Sequence, residues 1–219
     1  MAWGDRHEQV FARHGLAFDA ERWGWNFVGG ANDGDEHVEH STSRDAYTAW
    51  EVDRLRRRAR NCGVGDDDLE ALVADLHAAS KTYTLKAYDE VPEVLNALHE
   101  QGITVAVCSN WDWDLERAVA SVGLERAFDV VVTSAQAGAR KPHPRIFRHT
   151  LERCRVPAGS ALFVGDTPYA DVEGPLAFGM RAVHVWRNDI EGEPPPLPAG
   201  AVRAADLRAV LDLVSRPGS

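Results

Sequence analysis

A hydroxyl, an amide, a lysine and two carboxylates stand just beyond three apolar runs of this chain. Ser109-Asn110 closes the run ITVAVC at 103–108; Lys141-Pro142 comes after DVVVT at 129–133 and Ser134; Gly165-Asp166 closes ALFV at 161–164, with Asp171 five residues on. A lysine is a compact cation suited to neutralising an oxyanion. A hydroxyl and backbone N–H groups at a helix start are donors for the same anion. Two carboxylates are the hard oxygen ligands that Mg²⁺ prefers. Each feature has a plainer reading. Ser-Asn caps helices, Lys-Pro makes surface turns, and Gly-Asp is a common loop pair. Their shared placement after apolar runs makes them informative together.

The elements around them read as follows. ITVAVC, DVVVT, ALFV and AVHVW (182–186) are apolar throughout and alternate with helical stretches at 92–101, 115–122, 144–154 and 172–178. Such runs predict a parallel sheet covered on both faces. Ligands bind outside the carboxyl ends of such strands, which is where the polar residues fall. The region from about 18 to 85 reads as all-helical. Thr42 or Ser43 caps a helix ending near residue 61, and Leu69, Leu72, Val73 and Leu76 recur at helical spacing over 66–79. The stretch 23–40, rich in glycine and acidic residues, reads as loop with short helical pieces. A segment over 5–14 is helical, a turn-rich link holds Pro194, Pro195, Pro196 and Pro198, and a final helix covers 205–214.

Bulk composition narrows the partners. The 219 residues carry a formal net charge of -10, which repels nucleic acid and anionic membranes and leaves small anions to local clusters of donors. Cys62, Cys108 and Cys154 are far apart and in no metal-ligand spacing, so a reducing cytoplasm is the expected setting. No run is long enough to span a membrane.

The order SN, then KPHPRIF, then VGDTPYAD resembles the second, third and fourth signatures of the haloacid-dehalogenase superfamily. The likeness covers most of residues 85–190, and Trp111-Asp112 after Ser109-Asn110 is similar to its phosphatase-like branch. The resemblance implies an α/β fold, with a Rossmann-like parallel core over 1–17 and 86–219 and a helical cap over 18–85. It implies a Mg²⁺-dependent hydrolase acting on a small phosphorylated metabolite. Ser109 would bond a phosphoryl oxygen with N–H groups of Asn110 and Trp111 beside it, Lys141 would neutralise the phosphate, and Asp166 and Asp171 would hold Mg²⁺.

The same family begins with a central strand ending in Asp-x-Asp, whose first carboxylate attacks phosphorus and whose second is the general acid and base. The resemblance places that strand between ALFV and ITVAVC, and no matching segment precedes the helical region. Without that strand the two runs would face each other across a gap with unpaired backbone groups. The expectation is therefore that ALFV and ITVAVC pair directly or that the natural product is longer, and that the 219-residue chain is inactive. Asp33-Gly34-Asp35 and Asp112-Trp113-Asp114 read as a solvated loop and a helix start. Glu36, His37, Glu39 and His40 suggest a metal site less well than a polar loop. Trp23, Trp25, Phe27, Tyr47 and Trp50 either shape specificity or pack the cap. Two other readings stay open: a carbon–halogen hydrolase needing no metal, and a non-catalytic protein that binds a phosphorylated ligand.

Overall fold

A computed structural model describes residues 3–24, 36–187 and 192–215. The chain divides into two compact units, Met1–Asp33 with Glu39–Thr84, and Gly34–Val38 with Leu85–Ser219. Among the described residues no helix is long and apolar enough to cross a membrane.

The first unit is helical: α1 (Trp3–Arg13), α2 (Ala20–Trp23), α3 (Arg44–Asn61) and α4 (Asp66–Ser80). Ser43 is the residue that caps α3, its hydroxyl accepting from the Ala46 N–H. One face of each long helix feeds a single core of Val10, Phe11, Trp23, Leu55, Ala59, Leu69, Leu72, Val73 and Leu76. Phe11 lies edge-on to Trp23, with ring centroids 5.8 Å apart. This corrects the assignment of residues 1–17 to the sheet. Val10 and Phe11 sit one helical face apart from solvent and pack on α4, so α1 belongs with the helices.

The described residues of the second unit hold five short parallel strands. β1 (Ala106–Ser109) pairs with β2 (Val130–Thr133), and β3 (Leu162–Gly165), β4 (Arg181–Val185) and β5 (Ala201–Ala204) form a second sheet in that order. Among the described residues β1 and β3 do not pair with each other, so the gap and not the direct pairing is what the fold shows. The consequence is visible in burial. β2 and β4 are buried along most of their length, whereas β1 begins at an exposed Ala106 and is half-buried thereafter.

Helices cover both faces. α8 (Pro144–Cys154) places Ile146, Phe147 and Leu151 on Val130, Val132 and Phe163, and Phe147 meets Phe163 edge-on at 5.6 Å. On the other side α5 (Val91–Glu100) and α10 (Arg208–Ser215) share Leu98, Val105, Leu207 and Leu211. Between the strands lie α6 (Leu115–Ala120), α7 (Ser134–Ala137), a π-helical turn over Pro168–Glu173, and α9 (Gly174–Ala177). The strand β5 was not anticipated. AVRA has no apolar run and lies at the sheet's edge, with Val202 exposed.

Asp129 staples the start of β2 to the approach of β1. Its carboxylate accepts from the Val105 N–H at 2.8 Å and faces His99 at 3.2 Å. The Val105 N–H, with His99 assisting, holds the Asp129 carboxyl below its usual range. A depressed native value contributes stability above the unfolded value and loses it as pH falls through the native one. Asp129→Asn keeps an acceptor for Val105 but cannot titrate. Its urea-unfolding free energy therefore falls less steeply than that of the wild type as pH drops below about 4.

Candidate functional site

The loops that follow β1, β2 and β3 meet around Lys141. Its Nζ donates to the carbonyl of Cys108 on β1 at 3.0 Å and to Asp171 Oδ1 at 2.6 Å. It also lies 5.2 Å from the centre of the Phe163 ring on β3. Lys141 thus touches both strands that do not pair. The side chains of Lys141 and Asp171 are only 10% and 8% exposed. A pair this dry binds strongly by Coulomb attraction, and either charge left alone would be costly.

Glycines bring these groups together. A Cβ on Gly165 would lie 2.5 Å from Asp171 Cβ and 2.6 Å from its Oδ2, so the strand end must be bare for the carboxylate to fold back over it. Once there, Asp171 Oδ2 accepts from the Thr167 N–H at 3.1 Å. A Cβ on Gly174 would lie 2.6 Å from the Cβ of Pro142, which lets α9 close on the Lys141-Pro142 turn. Asp166 is exposed and takes a bond from the Thr167 hydroxyl at 3.3 Å.

Asn110 has a role the sequence did not suggest. Its side chain spans the Lys141 backbone, accepting from the Lys141 N–H at 2.6 Å and donating to the Lys141 carbonyl at 3.0 Å. It fixes the lysine and does not present its amide to a ligand. The Trp111 N–H is likewise engaged, by the Ser109 carbonyl at 2.9 Å. The next helix in sequence, α6, starts only at Leu115. Ser109 thus ends β1, Lys141 is tied to β1 through the Cys108 carbonyl, and the Asn110 side chain braces the Lys141 backbone.

The far side of the Lys141 loop is strapped by Glu36–Val38. The His37 N–H donates to Gly138 O at 2.7 Å, and Glu36 bridges Ala139. Gly138 has φ +75, and a Cβ there would meet Val38 Cα at 2.9 Å. His143 Nδ1 accepts from the Arg145 N–H to cap α8, and its Nε2 lies 3.8 Å from Glu36.

Other candidates resolve differently. Asp112 accepts from the Trp113 N–H, and Asp114 occupies the N-cap of α6. Trp23 and Tyr47 are buried in the helical unit, and Trp50 stacks on His40 and meets Tyr47 at a tilt. Trp25, Phe27, Asp33 and Asp35 lie outside the described residues. Among the described residues no group of three or more His, Cys, Asp and Glu side chains is placed to hold a metal. Burial pushes the Cys62, Cys108 and Cys154 thiols up, so none is a ready thiolate.

The ion pair and its glycine each yield an expected outcome. Lys141→Met leaves Asp171 buried without its partner and costs about 3–5 kcal/mol in denaturant unfolding. Adding Asp171→Asn to it recovers most of that loss. Gly165→Ala forces the Asp171 carboxylate aside and costs about 1–3 kcal/mol in the same measurement. Wild-type stability in either single variant would refute the packing described here.

Residues 36–185 match the family model described as haloacid dehalogenase-like hydrolase. The chain is 35% identical over 135 residues to haloacid dehalogenase-like hydrolase domain-containing protein 3 of Mus musculus, covering 61% of this chain and 54% of that protein. It is 36% identical over 172 residues to a phosphoserine phosphatase of Thermus thermophilus, covering 76% and 68%. The chain spans about half the length of the first of these relatives. A solved HAD phosphatase from Thermococcus onnurineus shares the fold, with a TM-score of 0.59, 23% identity, and 97% and 88% of the two chains covered. Solved dehalogenases share it equally well, so the fold does not separate the two chemistries. The match of residues 36–185, more than half the chain, to one family model shows that this chain belongs to the haloacid dehalogenase-like hydrolases.

Proposed function

We propose that Ser109, Lys141, Asp166 and Asp171 form the phosphoryl-binding part of a Mg²⁺-dependent phosphatase site for a small phosphorylated metabolite. The observation that carries this reading is the buried Lys141 ammonium, fixed at the strand ends by Cys108 O and Asp171. A cation already held in place needs no reorganisation when an anion arrives, which is where electrostatic stabilisation gains most. Ser109, at the end of β1, offers a hydroxyl donor beside it. The similarity to a phosphoserine phosphatase extends over 76% of the chain, against 48% for a haloacetate dehalogenase of Moraxella, which supports the phosphate reading.

The acid pair supports a metal of one kind. Mg²⁺ keeps several waters and is held by one or two carboxylates plus the substrate's phosphate, so it asks for no larger ligand cluster. Asp166 is exposed, and Asp171, five residues on, is fixed by Lys141 and Thr167. When bound, Mg²⁺ neutralises and orients the phosphoryl group. Ser109 and Lys141 then hold its oxygens, and Asn110 keeps the Lys141 backbone from yielding.

In this reading Asp171 is engaged by Lys141 and Asp166 is left to the metal, so neither is the attacking carboxylate. Asp112 accepts from the Trp113 N–H, and Asp114 stands at the N-cap position of α6. The expected behaviour of the 219-residue chain is therefore binding without turnover. Calorimetric titration with inorganic phosphate in the presence of Mg²⁺ detects binding that Lys141→Ala abolishes and a chelator weakens. Hydrolysis of p-nitrophenyl phosphate stays at background. Steady Mg²⁺-dependent turnover would overturn the second expectation. Chloride release from a 2-haloacid, insensitive to chelator, would overturn the phosphatase reading.

A further inference from the structure

The corner that carries Ser109 and Asn110 is held from behind by the four-residue helix α7. Ser134 is fully buried, and its hydroxyl donates to the Trp111 carbonyl at 3.0 Å. The Ala135 N–H donates to the same carbonyl at 3.2 Å. Two residues on, the Gln136 side-chain amide donates to the Trp113 carbonyl at 3.1 Å. Gln136 is itself fixed, because its N–H donates to the hydroxyl of buried Thr133, the N-cap of α7. The loop after β1 thus has two of its carbonyls taken by side chains from the exit of β2.

These bonds continue into the site. Trp111, gripped at its carbonyl by Ser134, donates its N–H to Ser109 O at 2.9 Å and so closes the turn around Asn110. Asn110 in turn holds the Lys141 backbone at both its N–H and its carbonyl. Lys141 then reaches Asp171. A chain of hydrogen bonds therefore runs from a buried serine that touches no ligand to both residues read above as phosphate binders.

From this we infer that Ser134 and Gln136 are positioning residues, which set the place of Ser109 and Lys141 through the Trp111 and Trp113 carbonyls and the Asn110 brace. The inference rests on the phosphoryl-binding reading of Ser109 and Lys141. A buried hydroxyl normally contributes the modest net stability of one hydrogen bond. Here the bond also fixes the turn that aims a binding group, and small displacements of such groups weaken binding well beyond the site of change.

The test is calorimetric or ³¹P NMR titration of the intact chain with inorganic phosphate and Mg²⁺. Ser134→Ala is compared with Ser134→Thr, Gln136→Leu and Ser121→Ala. Ser121 is the control for loss of a serine hydroxyl bond as such, since its hydroxyl donates locally, to Ala118 O at 2.7 Å on α6, without reaching the loop. Ser134→Ala weakens phosphate binding about tenfold, the size of one net hydrogen bond. Ser134→Thr restores most of it, Gln136→Leu weakens it less, and Ser121→Ala leaves it unchanged at comparable loss of thermal stability. Should Ser134→Ala fail to fold, Gln136→Leu carries the comparison alone. Wild-type affinity in both Ser134→Ala and Gln136→Leu overturns the inference and leaves the site reading standing. Equal weakening by Ser121→Ala overturns it too, as general loosening. Absence of phosphate binding by the wild type overturns the site reading and this inference with it.

Discussion

The ion pair between Lys141 and Asp171 is the constraint around which the second unit is arranged. It joins the ends of two strands, β1 and β3, that have no backbone ladder between them. Two charges this dry hold only in good geometry, with their remaining valences met. The fold meets them with a strand carbonyl, an aromatic face and a backbone N–H. The site's charge balance and the unit's cohesion are thus one arrangement, and a change to either partner bears on both.

Close approach is supplied by absent side chains. Gly165 leaves room for the Asp171 carboxylate, Gly174 for Pro142, and Gly138 for the Val38 backbone. Each glycine lies where a chemical loop meets its support. The first two tolerate no Cβ because of space, and the third also because of its positive φ. The bonds from Asn110, Ser134 and Gln136 then fix what the glycines admit.

Much of this was legible in the sequence, for physical reasons. The helix at Pro144–Cys154 and the caps at Ser43 and Gly63 follow from proline, serine and glycine doing what their chemistry favours. Four strands announced themselves as apolar runs, because both their faces are covered. β5 did not, because one short edge strand with an exposed valine carries no such run. The placement of α1 was misread, since Val10 and Phe11 show that a helix has an apolar face but not which core receives it. At the site, residue types near a phosphate were readable, but their orientations were not. Asn110 turned inward to brace Lys141, and the Trp111 N–H was spent within its own turn. Which of several partners a short polar side chain chooses depends on contacts remote in sequence, such as those of Ser134 with Trp111.

Among the described residues, one core cluster is drawn from α1 to α4 and their connections, and the other clusters are drawn from the strands of the second unit and their helices. Each unit therefore has its own source of hydrophobic stabilisation. Leu72 in the one and Val132 in the other are both fully buried, so hydrogen exchange at their amides reads the protection of two different cores.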